Sequence, residues 1–124
     1  MTRNLPTSAA RIDEDISALA AITEPDRPYT RRAFTPMFLK GRDWLAQRFQ
    51  AAGLTTHIDS AGNLIGSRKG NKPSLGTIML GSHSDTVPDG GRYDGIAGVS
   101  AALEVARALA DKNIELDHDL EIID

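Results

Sequence analysis

Between Thr77 and Leu80 the chain runs Thr-Ile-Met-Leu and then turns at once into the polar tract Gly81-Ser82-His83-Ser84-Asp85-Thr86-Val87-Pro88. A four-residue apolar run is too short for a helix, and its lack of polar alternation is the pattern of a strand buried on both faces of an α/β sheet. Residues just after such a strand sit at its carboxyl end, where open α/β folds place their ligands. One short run thus points to a fold class and to a place to look for chemistry.

The flanking patterns agree. Ile12, Ile16 and Leu19 recur at helical spacing across residues 8–22, with Asp13, Glu14 and Asp15 assigned to the solvent side. Residues 23–36 contain three prolines and read as a connector, because proline cannot continue a helix and pushes the preceding residue into extended geometry. Pro36 suits the first turn of a second helix whose stripe is Phe38, Leu45, Phe49 and Ala52, closed by Gly53. Residues 54–58 and 63–68 read as a hairpin around Asp59-Ser60-Ala61-Gly62. A third helix over residues 95–111 carries Ile96, Val99, Leu103, Ala106 and Ala110 in steps of three and four, and residues 120–123 begin another strand. The expected fold class is therefore α/β, a helix-covered mixed sheet in one domain over residues 1–124. Because Glu121-Ile122-Ile123-Asp124 is apolar where a terminus is normally polar and frayed, the domain is expected to continue past Asp124, so the chain reads as truncated.

Composition narrows the function. A net charge of −3 leaves no basic footprint for nucleic acid or anionic lipid, and the one basic cluster, Arg31-Arg32, is too short to make one. No run approaches the ~20 apolar residues that span a bilayer, and Met1-Thr2-Arg3-Asn4-Leu5-Pro6 lacks the apolar core of a signal peptide. A cytoplasmic protein with no nucleic-acid or membrane partner is expected. With no cysteine there is neither a disulfide framework nor a thiolate site, so any metal must be held by His, Asp or Glu.

Three residues stand out. His83 comes just after the buried strand, where an imidazole can meet a metal or simply be hydrogen-bonded in a loop. Asp85 lies two residues on and in extended chain projects to the same side, where it can accept a hydrogen bond from the ring nitrogen that does not bind metal, or help form a turn before Pro88. Asp94 opens the third helix after Gly90-Gly91, as a carboxylate that can bridge two cations, as a helix cap, or as both. Gly95 and Gly98 would let that helix start approach its neighbours closely. His57, alternating in a hairpin strand, and His118, in Leu116-Asp117-His118-Asp119, read as polar surface residues, although the latter pattern can chelate. Other motifs fail: a calcium loop from Asp85 would put Val87 and Ile96 where oxygen ligands belong, and neither a Walker lysine nor a Gly-x-Ser-x-Gly elbow occurs.

His-x-Asp at the end of a strand resembles the first signature of the M20 metallopeptidase superfamily. The eleven-residue step from His83 to Asp94 through Asp89-Gly90-Gly91-Arg92-Tyr93 is similar to its carbamoylase and allantoate amidohydrolase branch. Tyr29-Thr30-Arg31-Arg32-Ala33-Phe34-Thr35, Gly53-Leu54 and Asp59-Ser60-Ala61-Gly62-Asn63-Leu64 look like the same branch. The resemblance implies a zinc-peptidase-like α/β/α catalytic domain, of which this chain is the amino-terminal part without the lid/dimerisation domain. It implies two divalent metal ions (Zn, or Mn, Co or Ni), with His83 binding one, Asp94 bridging both and Asp85, the third residue of the catalytic site, orienting His83. The implied reaction is hydrolysis of the C–N bond of an N-carbamoyl amino acid or allantoate, a small-molecule ureido or amide substrate, by a parent expected to be a homodimer. The general-base Glu and the other ligands would lie beyond residue 124, so the chain alone is expected to be inactive. A dipeptidase or deacylase of the same fold is an alternative, as is a non-catalytic module that binds a partner through an unpaired last strand.

Overall fold

A computed structural model describes residues 4–124. Of the amino-terminal stretch that lacks a signal core, residues 1–3 lie outside the described part. Local signals act where the sequence puts them. Ser8 caps α1 (Ala9–Ala21) by accepting from the Arg11 N–H, and Thr35 caps α2 (Pro36–Ala51) by accepting from the Phe38 N–H, with Pro36 in the first turn. Each cap satisfies a donor that a helix start leaves free. The strands β1 (Thr55–Ile58) and β2 (Leu64–Arg68) form the hairpin, and its turn is held by Asp59 Oδ1, which accepts from the N–H groups of Ala61 and Asn63. β3 (Thr77–Gly81), α3 (Ile96–Asp111) and β4 (Asp119–Ile123) complete the chain.

The sheet order is β1-β2-β4-β3, antiparallel except for the parallel β3–β4 pair that α3 connects. Leu120 and Ile122 alternate inward from β4 and meet Leu45 and Phe49 of α2 and Val99 and Leu103 of α3 in one core, with α1 packed on α3 through Ile16 and Leu19. The mixed, helix-covered α/β sheet is as expected. Among the described residues the helices cover the Leu120 and Ile122 face, so two of the three anticipated layers are present.

Four expectations change. The Thr77–Leu80 run is not buried on both faces: among the described residues β3 is an edge strand bonded only to β4, and Ile78 and Met79 are 40% and 58% exposed. An apolar run records a tendency to be buried but not how many neighbours the strand has. The last strand, β4, is instead central and paired on both sides, so it offers no free edge to a partner. Asp15 is not on a wet face; it is buried against Arg107 at 2.5 Å and 3.2 Å. Beside it the buried Glu104 of α3 accepts from Arg11 at 2.6 Å and from the Ser8 N–H at 2.7 Å, so charge as well as apolar contact joins α1 to α3. At the end of the α3 stripe Leu109 is buried where Ala110 was expected. Among the described residues no helix is long and apolar enough to cross a membrane.

Leu103 is fully enclosed at the centre of this core. Leu103→Ala is expected to destabilise the chain by about 2–5 kcal/mol in chemical denaturation. Truncating the exposed Leu39 should change stability by no more than about 0.5 kcal/mol.

Candidate metal centre

Because β3 and β4 run parallel with Gly81 opposite Ile123, both strands end at the same edge of the sheet. Residues 82–87 leave that edge without regular secondary structure, and buried side chains alternate with more exposed ones from Ser84 to Val87. Ser84 and Thr86 go inward and are buried. Ser84 Oγ donates to Asp124 Oδ2 at 2.8 Å, while Thr86 Oγ1 accepts from the Arg31 N–H at 2.8 Å and donates to the Tyr29 carbonyl at 3.1 Å. His83 and Asp85 therefore go outward.

There the His83 ring has distinct surroundings at its two nitrogens. Nδ1 lies 3.0 Å from the Asp85 backbone oxygen and 3.3 Å from Asp85 Oδ1, so it carries the hydrogen and donates to Asp85. That tautomer leaves the Nε2 lone pair free, and Nε2 stands 3.8 Å from Asp94 Oδ2. With bonds of about 2.0–2.2 Å, two ligands of one ion stand no more than roughly 4.2 Å apart, so the spacing fits a shared cation. Imidazole with carboxylate is also a donor set that suits zinc and its divalent neighbours. Asp94 does not cap α3. The cap position is Gly95, no side chain caps that end, and the Asp94 carboxylate is 78% exposed.

Gly95 makes the approach possible. Its φ is +71°, and a Cβ there would overlap both His83 Cε1 and the His83 carbonyl. Gly98 is similarly pressed on Ser82, where a Cβ would come within 2.7 Å.

The chain is similar to known proteins over nearly its whole length. The Peptidase family M28 model matches residues 63–123. The chain is 38% identical over 115 residues to an N-carbamoyl-L-amino-acid amidohydrolase of Paenarthrobacter aurescens, covering 93% of this chain and 28% of that protein. It is 31% identical to a ureidoglycolate hydrolase of Arabidopsis thaliana, covering 99% of this chain and 26% of the relative. The crystal structure of a hydantoinase/carbamoylase family amidase from Burkholderia ambifaria superposes with a TM-score of 0.90 at 40% identity, covering 96% of this chain and 29% of that one. The chain is similar to the hydantoinase/carbamoylase amidases. It spans under a third of the length of each of these three proteins.

The other two histidines stay apart from the pair. His57 is exposed on β1. His118 is half-buried before β4, and its flanking carboxylates are taken by lysines, Asp117 by Lys72 and Asp119 by Lys69, each at 2.8 Å. Lys69 holds the Asp119 carboxyl below the usual carboxylate range, with help from the Gly70 N–H. Among the described residues no group of three or more His, Asp or Glu side chains is arranged to hold a metal by itself.

The residue that sequence reasoning missed is Arg31. Read as half of a short basic cluster, it is only 2% exposed, whereas Arg32 pairs with Glu24 on the surface. Arg31 Nε and Nη2 donate to the Ser84 carbonyl at 2.9 Å and 2.7 Å, and Nη1 donates to the carbonyls of Leu19 and Ile22 at the end of α1. Burial pushes its pKa below the ordinary arginine value, opposed by the carboxylates of Asp124 and Asp85. Its only signal in the sequence is its place within the Tyr29–Thr35 stretch that resembles the carbamoylase branch.

Two glycines separate steric from conformational effects. Gly95→Ala should destabilise the chain and move the His83 ring resonances in NMR spectra. Gly91→Ala, at φ +84° with no atom within 4 Å of its Cβ, should cost about 1–2 kcal/mol of backbone strain and leave His83 unmoved.

Proposed function

We propose that this chain forms part of the catalytic domain of a dinuclear-metal amidohydrolase that cleaves the C–N bond of an N-carbamoyl amino acid or a related ureido compound such as allantoate. The observation that carries it is the facing pair of His83 Nε2 and Asp94 at the carboxyl edge of the sheet, with His83 Nδ1 committed to Asp85. The names of the relatives support a ureido or carbamoyl substrate over a dipeptide. In this reading His83 and Asp94 are metal ligands, Asp94 is the bridge, and Asp85 fixes the tautomer and direction of His83. Two divalent ions held there supply Lewis acidity towards water and towards the scissile carbonyl.

The chain's own contribution is to orient donors. The Asp85 acceptors keep a proton on Nδ1, so Nε2 presents a lone pair outward, and Gly95 brings the start of α3 close enough for Asp94 to share that space. Zinc is the leading metal, with manganese, cobalt and nickel compatible with the same donors. The remaining ligands, the general-base Glu and a lid/dimerisation domain belong, in this proposal, to the additional length that the relatives possess. A cytoplasmic homodimer acting on small molecules completes the reading.

Catalytic zinc sites use at least three protein ligands, so the 124 residues alone should show no turnover of N-carbamoyl amino acids with metal added. Exchanging this chain for the matching segment of the Paenarthrobacter aurescens relative should preserve metal-dependent hydrolysis. In that chimera His83→Ala and Asp94→Ala should abolish activity, and Asp85→Asn should lower metal affinity about 10–100-fold. Full activity of the His83→Ala and Asp94→Ala chimeras would overturn the proposal.

A further inference from the structure

We infer that Arg31 is a positioning residue for the His83 and Asp85 pair, acting through the Ser84 peptide it grips from inside the protein. The inference rests on the metal-site reading under Proposed function. Ser84 lies between the two site residues, and its carbonyl receives both Nε and Nη2 of Arg31. The Ser84 carbonyl belongs to the planar peptide that joins Ser84 to Asp85, so holding it restrains the backbone on both sides of that peptide and with it the directions of His83 and Asp85. The same guanidinium grips the carboxyl end of α1 through Leu19 and Ile22, and the Arg31 backbone exchanges two hydrogen bonds with Thr86. Asp85 is thus bracketed by two anchored residues, Ser84 and Thr86, that share Arg31.

Gly41 supports the assignment independently. It sits inside α2, where glycine is a poor helix former. A Cβ there would lie 2.8 Å from Arg31 Cδ and 3.1 Å from Nε. The helix gives up a better residue at the point where the Arg31 stem passes. Lysine could not replace arginine here, because a single ammonium lacks the planar fork that serves Ser84 on one side and the end of α1 on the other.

The test uses the 124-residue chain and Zn²⁺ as the probe, with His83 followed by NMR. In the wild-type chain, ring ¹⁵N shifts at a pH where His83 is neutral should show the hydrogen on Nδ1, and added Zn²⁺ should perturb the Nε2 side. Arg31→Lys should yield a mixture of tautomers and a Zn²⁺ dissociation constant about tenfold weaker. Gly41→Ala, which keeps the charge and favours the helix, guards against a simple failure of Arg31→Lys to fold. It should produce the same tautomer mixing and weakening while its amide spectrum stays native. A purely structural Arg31 would alter melting temperature but leave tautomer and affinity unchanged in folded Gly41→Ala, and that result overturns the inference. If Zn²⁺ leaves His83 of the wild-type chain unperturbed, it is the metal-site reading that fails.

Discussion

A guanidinium taken out of water loses hydration worth several kcal/mol, and it is tolerated only where its N–H groups find acceptors. Arg31 meets this requirement with backbone carbonyls and no direct carboxylate partner. Leu19 and Ile22 offer carbonyls at the end of α1, that of Leu19 also accepting from the Ile22 N–H, and Ser84 offers a third. The arrangement is favourable twice over, since a cation at a helix carboxyl end also meets the negative pole of the helix dipole. Elements distant in sequence meet at this one charge: α1, the proline-bearing connector, the middle of α2 through Gly41, and the segment leaving β3. The other side of α1 is held by the Arg11–Glu104 and Arg107–Asp15 pairs, so the helix is fixed at two places by buried or half-buried charge.

The segment after β3 turns that anchorage into directed chemistry. Its even-numbered residues Ser84 and Thr86 satisfy buried partners, and its odd-numbered residues His83 and Asp85 are left to the open side. A slip of one residue would exchange the two sets and put His83 and Asp85 where Ser84 and Thr86 belong, which the Arg31 and Asp124 contacts forbid. Asp124 adds to the lock from the end of β4, receiving Ser84 Oγ as well as Arg42, whose guanidinium also reaches the Gly62 carbonyl in the hairpin turn.

This division explains what could be read in the sequence. The helices were legible because caps, Pro36 and apolar stripes are local signals, and the hairpin because Asp59 and Gly62 mark its turn. His83, Asp85 and Asp94 were legible because ligand-type side chains are concentrated where a strand gives way to a helix. The edge position of β3 was not legible, since four apolar residues record nothing about how many strands lie alongside. Arg31 and Arg32 are adjacent and chemically identical. One is buried and the other solvated because of carbonyls at Leu19 and Ser84, 12 and 53 residues away from Arg31. Asp15 failed for the same reason, its partner Arg107 being 92 residues distant.

The pair is open above and rigid below. Half of the His83 side-chain surface and 78% of that of Asp94 are exposed, while Ser84 beneath is fully buried. Gly95 brings the start of α3 against the His83 ring, so closely that a Cβ there would overlap it. In the proposed metal site a cation would enter from the solvent side, between Nε2 and Asp94. Two ligands bind weakly, and weakness would be compounded if binding also had to order them. Here the ordering is done in folding, by buried contacts that do not touch the cation, so each further ligand would add to a geometry already set.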